Sequence, residues 1–491
     1  MRPRHPGSAS RIRSNLDPSA AESAGLSAGW LSPREGDPET EFLEEIRGRV
    51  QQLLSQGWGL AMAPLYRNAL FMMSSSVVGG ASGFVFYFLI ARSYSVNDLG
   101  YAQGLFNTIS FLATLALLGL GPALVRFLPS AENKAATINT CLTLTGLVAV
   151  PFTIVLMAGI EFWLPSLDFI LSSPVYWILI LLTTLSLTFA PILDQSGLAM
   201  RRADLILWRT VLASVLKVPI ALLLIFFAVT GGRLDIFVAI SLPVGIAVAV
   251  EGGILLPRVL PGYRPKPSLD LSHIRPMVRF STANYLAATI GATDTLLLIP
   301  LIFVVLGRTV APIQAGYFQI ATVVAGLLGV IPAAAFTSFY AEASQNGATA
   351  ADRHIAERRA IMLTLAILLP AIAVLWFFGR FILGLFAGTN SAYVEGSIGP
   401  LRILIFGPIT GFLNSLLGTR VMIRKQTRPL IVSAIISSTV TLGLGYPLLI
   451  WGGITGLAAA TVVGSLSQIP YLYLVARKSF GAEMGPPIEA V

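Results

Sequence analysis

From Tyr66 to Ala476 the chain alternates apolar runs of roughly 20 residues with short polar clusters that hold most of its charge. The hydrocarbon core of a bilayer is about 30 Å thick, which a helix crosses in about 20 residues at 1.5 Å each, so the pattern predicts membrane-crossing helices. Reading the runs against their Gly, Pro and polar breakers gives twelve, over 66–91, 99–125, 138–160, 175–195, 204–229, 235–257, 277–305, 315–340, 360–386, 397–419, 429–450 and 454–476. The expected fold is an all-α polytopic membrane protein.

Composition agrees. Of the 491 residues, 55% are hydrophobic and 12% charged, about half the charge of a soluble globular chain, and the mean hydropathy is +0.77. The single cysteine, Cys141, lies inside an apolar run, so it forms no intrachain disulfide and reads as a buried thiol. His5, His273 and His354 show no metal-ligand spacing, and no phosphate-binding G-x-x-x-x-G-K-[ST] occurs. Neither a metal nor a cofactor is expected.

Charge sets the direction, because Lys and Arg are retained on the cytoplasmic side. Of the 33 such residues, 27 fall in the N-terminal stretch, beside loops after even-numbered spans, or at the C-terminus. Five, Arg92, Arg233, Arg308, Arg380 and Arg402, fall on the other side, and Lys217 is mid-span. Both termini are therefore expected in the cytoplasm. Topogenic arginines and anionic headgroups account for the net charge of +9 without nucleic acid. Residues 1–65 lack the apolar stretch of a cleavable signal and read as a disordered cytoplasmic tail. Within it, Asp37, Pro38 and the face Phe42, Ile46, Val50 and Leu53 outline either a short amphipathic surface helix or an ordinary solvated one.

Two phrases nearly repeat: "LGYAQ" at 99–103 and "AGYFQ" at 315–319. Sliding the chain against itself by 216 also pairs Asn68 with Asn284, Arg92 with Arg308 and Leu112 with Leu328. The chain thus divides into two six-helix bundles, 66–257 and 277–476, joined by a cytoplasmic linker, 258–276, and followed by a tail, 477–491. Six is even, so the bundles are parallel, related by a pseudo-two-fold axis along the membrane normal. Such halves suit alternating access by rocking. In each, Gly-Tyr-x-Gln opens the second helix, as glue between helices or as a ligand to cargo.

Charges within spans cost roughly 2.5–3.5 kcal/mol each and so point to function. Asp294 in span seven has no acidic counterpart in the first half and reads as a proton or sodium site, or as a neutral carboxyl bonding a neighbouring helix. Lys217 in span five reads as a cavity cation, with Arg209 about 80° away on the same broad face. Arg402, Arg126 and Glu251 lie nearer the interfaces and read as headgroup anchors. Asn68, Gln103, Asn107, Asn284 and Gln319 complete the polar positions expected to line a cavity or an interface.

The stretch Asn68–Ser130, with "AR" ending span one, "DLGY" entering span two and "LGLGPALVR" leaving it, resembles the polysaccharide-transport flippases of the multidrug/oligosaccharidyl-lipid/polysaccharide exporter superfamily. In the second half the resemblance rests on Asp294, "AGYFQIA" and "IPAAAFTSFYAEAS". It implies a transporter rather than an enzyme, one that moves polyprenyl-(pyro)phosphate-linked oligosaccharides across the cytoplasmic membrane for glycosyltransferases or a polymerase of the same pathway. Lys217, Arg209 and Arg402 would bind the phosphate or acidic sugar, and Asp294 would couple an ion gradient. A multidrug or cation antiporter of the same superfamily is the alternative, although span one here lacks the acidic residue of the drug-extruding branch. A membrane-embedded glycosyltransferase or ligase fits less well, since the acids on the outer loops are scattered.

Overall fold

The computed structural model describes residues 64–227, 232–270, 277, 281, 285–286, 289–343, 350–388, 391–423 and 428–481. Asn284, and the amphipathic stretch expected within 1–65, lie outside the described residues, as does the side chain of Asn68. Residues 63–491 belong to one compact unit.

Among the described residues, nine helices are long and apolar enough to cross a membrane, or ten if the bent pair in span two is one span, and they fall on the expected crossings. Span one is Pro64–Ser93, span three Lys134–Ala158, span four Pro174–Ala199, span five Asp204–Phe227 and span nine Ala350–Ala387. Span two breaks by 46° between Val96–Ala116 and Leu120–Ser130, where Leu118 and Gly119 take left-handed φ of 52° and 67°. Span six, Arg233–Val250, continues through a π-helical turn, Glu251–Leu255, to Val259. Span ten joins Ser391–Leu404 to Gly407–Ile423. Two helical stretches are too long for one crossing. Leu298–Ala343 is two helices joined at a kink at Gly307 (φ 72°), between the stretches expected as spans seven and eight. Arg428–Ser467 is two helices joined at a kink at Gly453 (φ 58°), between the stretches expected as spans eleven and twelve, and Ile469–Gly481 follows. A Cβ at Gly307 or Gly453 would meet no atom within 4 Å, so glycine is required there by its φ alone.

Helices dominate because hydrocarbon offers no partner for an open backbone N–H or C=O. Polar side chains follow the same economy, and Thr108, Thr145, Thr153, Thr184, Thr188 and Ser196 each donate to the carbonyl four residues earlier. At span two, the Ser95 hydroxyl accepts from the Asp98 amide at 3.1 Å and donates to the Asp98 carboxylate at 2.6 Å, capping the helix that carries the first Gly-Tyr-x-Gln. The linker is strapped to span three. Asn139 Nδ2 donates to the Arg264 carbonyl at 2.8 Å, and the Ser268 amide donates to Thr143 Oγ1 at 3.0 Å.

Candidate functional site

The repeated phrase lies where the halves meet. A methyl group added at Gly100 would sit 1.7 Å from the Pro312 carbonyl oxygen, and one at Gly316 would sit 2.3 Å from the Val96 carbonyl oxygen. Both pairs, Gly100 with Gly316 and Val96 with Pro312, are separated by the repeat offset of 216, so the contact is reciprocal, as across a two-fold axis. One turn deeper, Tyr87 Oη donates to Gln103 Oε1 at 2.7 Å, and Gln103 Nε2 donates to Asn107 Oδ1 at 2.9 Å. The Gln319 side chain is a second partner of the same tyrosine. Tyr87 therefore ties the two copies of the phrase together.

Two arginines cross between the halves near this contact, again 216 apart. Arg92, at the end of span one, donates to the Leu385 carbonyl of span nine at 2.6 Å and lies 4.2 Å from the Phe88 ring. Arg308, at the start of span eight, meets Asp168 in the loop between spans three and four at 3.1 Å. Tyr393 Oη adds a bond to the Tyr94 carbonyl at 3.3 Å. At the opposite end, Tyr285 Oη donates to the Leu115 carbonyl at 2.8 Å, and its Cβ would lie 2.7 Å from a Cβ at Gly119, the break of span two. The halves thus touch at both ends. Thr322, Gly326 and Gly329 of span eight line a cavity of about 300 Å³ against Pro408, Gly411 and Ser415 of span ten.

The intramembrane charges divide into three environments. Arg209 grips Asp194 of span four with two hydrogen bonds, 2.9 and 2.7 Å, and its Nε lies 3.3 Å from Glu251 of span six. The Glu251 contact lacks hydrogen-bond geometry, leaving an ion contact only. Glu251 is 0% exposed, so the headgroup-anchor expectation for it is corrected: the π-helical turn that begins there carries the carboxylate inward, to Arg209. Two carboxylates on one guanidinium leave the cluster one negative charge in surplus, the composition of a site for a proton or a cation. Two of Arg209's N–H donors are committed to Asp194.

Lys217 is different. Its Nζ is 5.5 Å from the centroid of the fully buried Phe86 of span one, and it forms no hydrogen bond or ion pair with a described residue. Asp294 lies one helical turn before Leu298 and accepts from Ser437 of span eleven at 3.4 Å and from Thr295 at 3.3 Å. Arg402 is exposed, 5.9 Å from the Trp376 ring, and is not brought near Lys217 by any contact described. Asp194 was missed by sequence reasoning, since 15 residues of separation across a turn between two helices give no periodic signal linking it to Arg209.

No protein-family model and no curated protein sequence matches the chain. Solved structures do. The lipid II flippase MurJ, in an inward closed conformation, matches with TM-score 0.64 at 14% identity, covering 83% of this chain and 87% of that one. A multidrug resistance MATE family transporter of the MOP superfamily, inward-facing, matches with TM-score 0.53 at 13% identity over 84% and 98%. A MOP superfamily transporter from Pyrococcus furiosus, described as having a binding pocket of reverse polarity, matches with TM-score 0.54 at 14% identity over 86% and 96%. The chain has the fold of these transporters.

Proposed function

We propose that the chain translocates polyprenyl-(pyro)phosphate-linked oligosaccharides across the cytoplasmic membrane by alternating access, with both termini cytoplasmic. The observation that carries this reading is Lys217: a mid-span ammonium whose only described contact of note is an aromatic ring. An ammonium within a bilayer costs energy unless an anion meets it, and a phosphate headgroup is such an anion. The reciprocal packing of the halves at Gly100 and Gly316 supports rocking about the pseudo-two-fold axis, since the same contact can be made or broken as a unit. Arg209 serves structure in this reading rather than the cargo. Asp294, which faces Ser437, couples a proton or sodium gradient. The glycosyltransferases or polymerase of the pathway make or consume the cargo.

One observation favours a second reading. The surplus carboxylate at Asp194 and Glu251, both close to Arg209, fits a cation antiporter.

Proteoliposomes carrying a lipid-linked oligosaccharide with a reporter sugar decide between them. Lys217→Ala is expected to slow flipping at least about 10-fold while Lys217→Arg retains it, since one charged hydrogen bond is worth about 1.5–3 kcal/mol. Flipping undiminished in Lys217→Ala at equal protein level overturns the assignment. Efflux of an organic cation that depends on Glu251 and not on Lys217 supports the antiporter.

A further inference from the structure

A groove of about 1060 Å³ runs between spans three, four and six. Its lining extends from Asn139 to Pro151 on span three and from Leu179 to Leu193 on span four. At 1.5 Å per residue that is a channel about 20 Å long, reaching past the middle of a hydrocarbon core about 30 Å thick. The walls are apolar. Leu147, Leu182 and Leu242 on the three helices are 55%, 55% and 42% exposed, so the groove opens sideways, toward the surrounding bilayer. No lining residue belongs to spans one, two or five or to the second half, which sets the groove apart from the interface between the halves and from Lys217.

The mouth is polar. There the linker folds over the groove, held by the Asn139–Arg264 and Thr143–Ser268 bonds. Lys266 lines the mouth, exposed, with no ion-pair partner among the described residues. Tyr263 also lines it, 3% exposed, and its hydroxyl has no hydrogen-bond partner among the described residues. Burial pushes that phenol up to about 12, so it remains a donor at any physiological pH. A buried donor without an acceptor is unfavourable, and an anionic oxygen at the mouth would satisfy it. A long apolar channel open to lipid, with an ammonium and an unsatisfied phenol at the interfacial end, is complementary to a molecule that is hydrocarbon along its length and anionic at its head.

We infer that the groove holds one acyl chain of a resident anionic phospholipid, with its phosphate received by Lys266 and Tyr263. Because the linker joins the two halves and forms the mouth, the lipid pins the linker to span three. The site is separate from the proposed cargo path, and its test does not use transport.

Lipid retention by the detergent-purified full chain, read by native mass spectrometry after equilibration with equal phosphatidylglycerol and phosphatidylcholine, tests this. The wild-type chain is expected to retain one phospholipid, favouring phosphatidylglycerol about 5-fold, the ratio that roughly 1 kcal/mol per basic residue supplies. Lys266→Gln is expected to bring the ratio to about one. Gly253→Leu adds bulk to the groove, where a Cβ at 253 meets nothing within 4 Å, and is expected to abolish retention. Ser186→Leu on the opposite wall does the same independently, should either variant fail to purify as a monodisperse species. Gly443→Leu, an equally open position in span eleven, is expected to leave retention unchanged. Wild-type retention with no preference for phosphatidylglycerol overturns the headgroup assignment, and undiminished retention in either groove-filling variant overturns the site.

Discussion

Gly100 and Pro312 come from opposite halves, and the backbone of one is seated against the carbonyl of the other so closely that a single methyl group at Gly100 would land 1.7 Å from the oxygen. Because Gly316 and Val96 repeat the arrangement 216 residues away, the seam between the halves is built from two copies of one contact. Overpacked sites of this kind cost about 1–3 kcal/mol. Gly100→Ala and Gly316→Ala are each expected to lower the melting temperature in detergent and to slow transport, because the halves must separate to admit the methyl group. Gly83→Ala and Gly326→Ala, whose added atoms meet nothing within 4 Å, are expected to leave both unchanged. Differential scanning fluorimetry with a transport assay checks this.

The Arg209 cluster predicts a sign. Removing Asp194, the doubly bonded partner, leaves a guanidinium that is 16% exposed with the Glu251 ion contact but neither of its hydrogen bonds to Asp194, and breaking a buried pair on one side costs about 3–5 kcal/mol. Asp194→Asn is therefore expected to destabilise severely. Glu251→Gln removes the surplus negative charge while Asp194 still neutralises Arg209, so the melting temperature is expected to stay level or rise. A fall in Glu251→Gln as large as that in Asp194→Asn would mean the two carboxylates share the guanidinium equally.

Arg92 and Arg308 are straps rather than anchors of stability. The Arg308–Asp168 pair is 59% and 41% exposed, and such pairs are worth about 0.2–1 kcal/mol. The double variant Arg92→Ala/Arg308→Ala is expected to unfold nearly as the wild type does, yet to open the strapped end more often, by about 5-fold for 1 kcal/mol in all. The chain suits a thiol-accessibility measurement, since Cys141 is buried. Labelling of Gln103→Cys, beneath the straps, is expected to speed up by that factor.

Tyr87→Phe separates glue from ligand. It removes the hydroxyl shared by Gln103 and Gln319, and unmet buried amides cost about 1–3 kcal/mol. If these groups hold the halves together, stability falls while the extra stabilisation conferred by bound cargo is retained. Loss of the cargo-induced shift in a thermal scan, with stability intact, would make them ligands.

The membrane-crossing helices were legible along the chain because hydrocarbon leaves the backbone no choice but helix, so length and hydropathy suffice. The repeat offset was equally legible and singled out Gly100 and Gly316, but their partners across the seam, Pro312 and Val96, were not, since the offset relates equivalent positions without saying which of them touch. The breaks within spans were only half visible: Gly307 and Gly453 mark kinks between helices, but nothing in the sequence marks the left-handed φ of Leu118. Partnership was not legible at all. Arg209 and Lys217 looked alike as basic residues of one span, and only packing gave Arg209 two carboxylates and Lys217 an aromatic ring. The groove between spans three, four and six was hidden for the same reason, because apolar residues that fill a gap and those that leave one open have the same periodicity. What a bilayer imposes on each segment is local and can be read from the sequence. Which helix faces which is settled by side-chain volume and charge summed over the whole bundle, and that sum exists only in three dimensions.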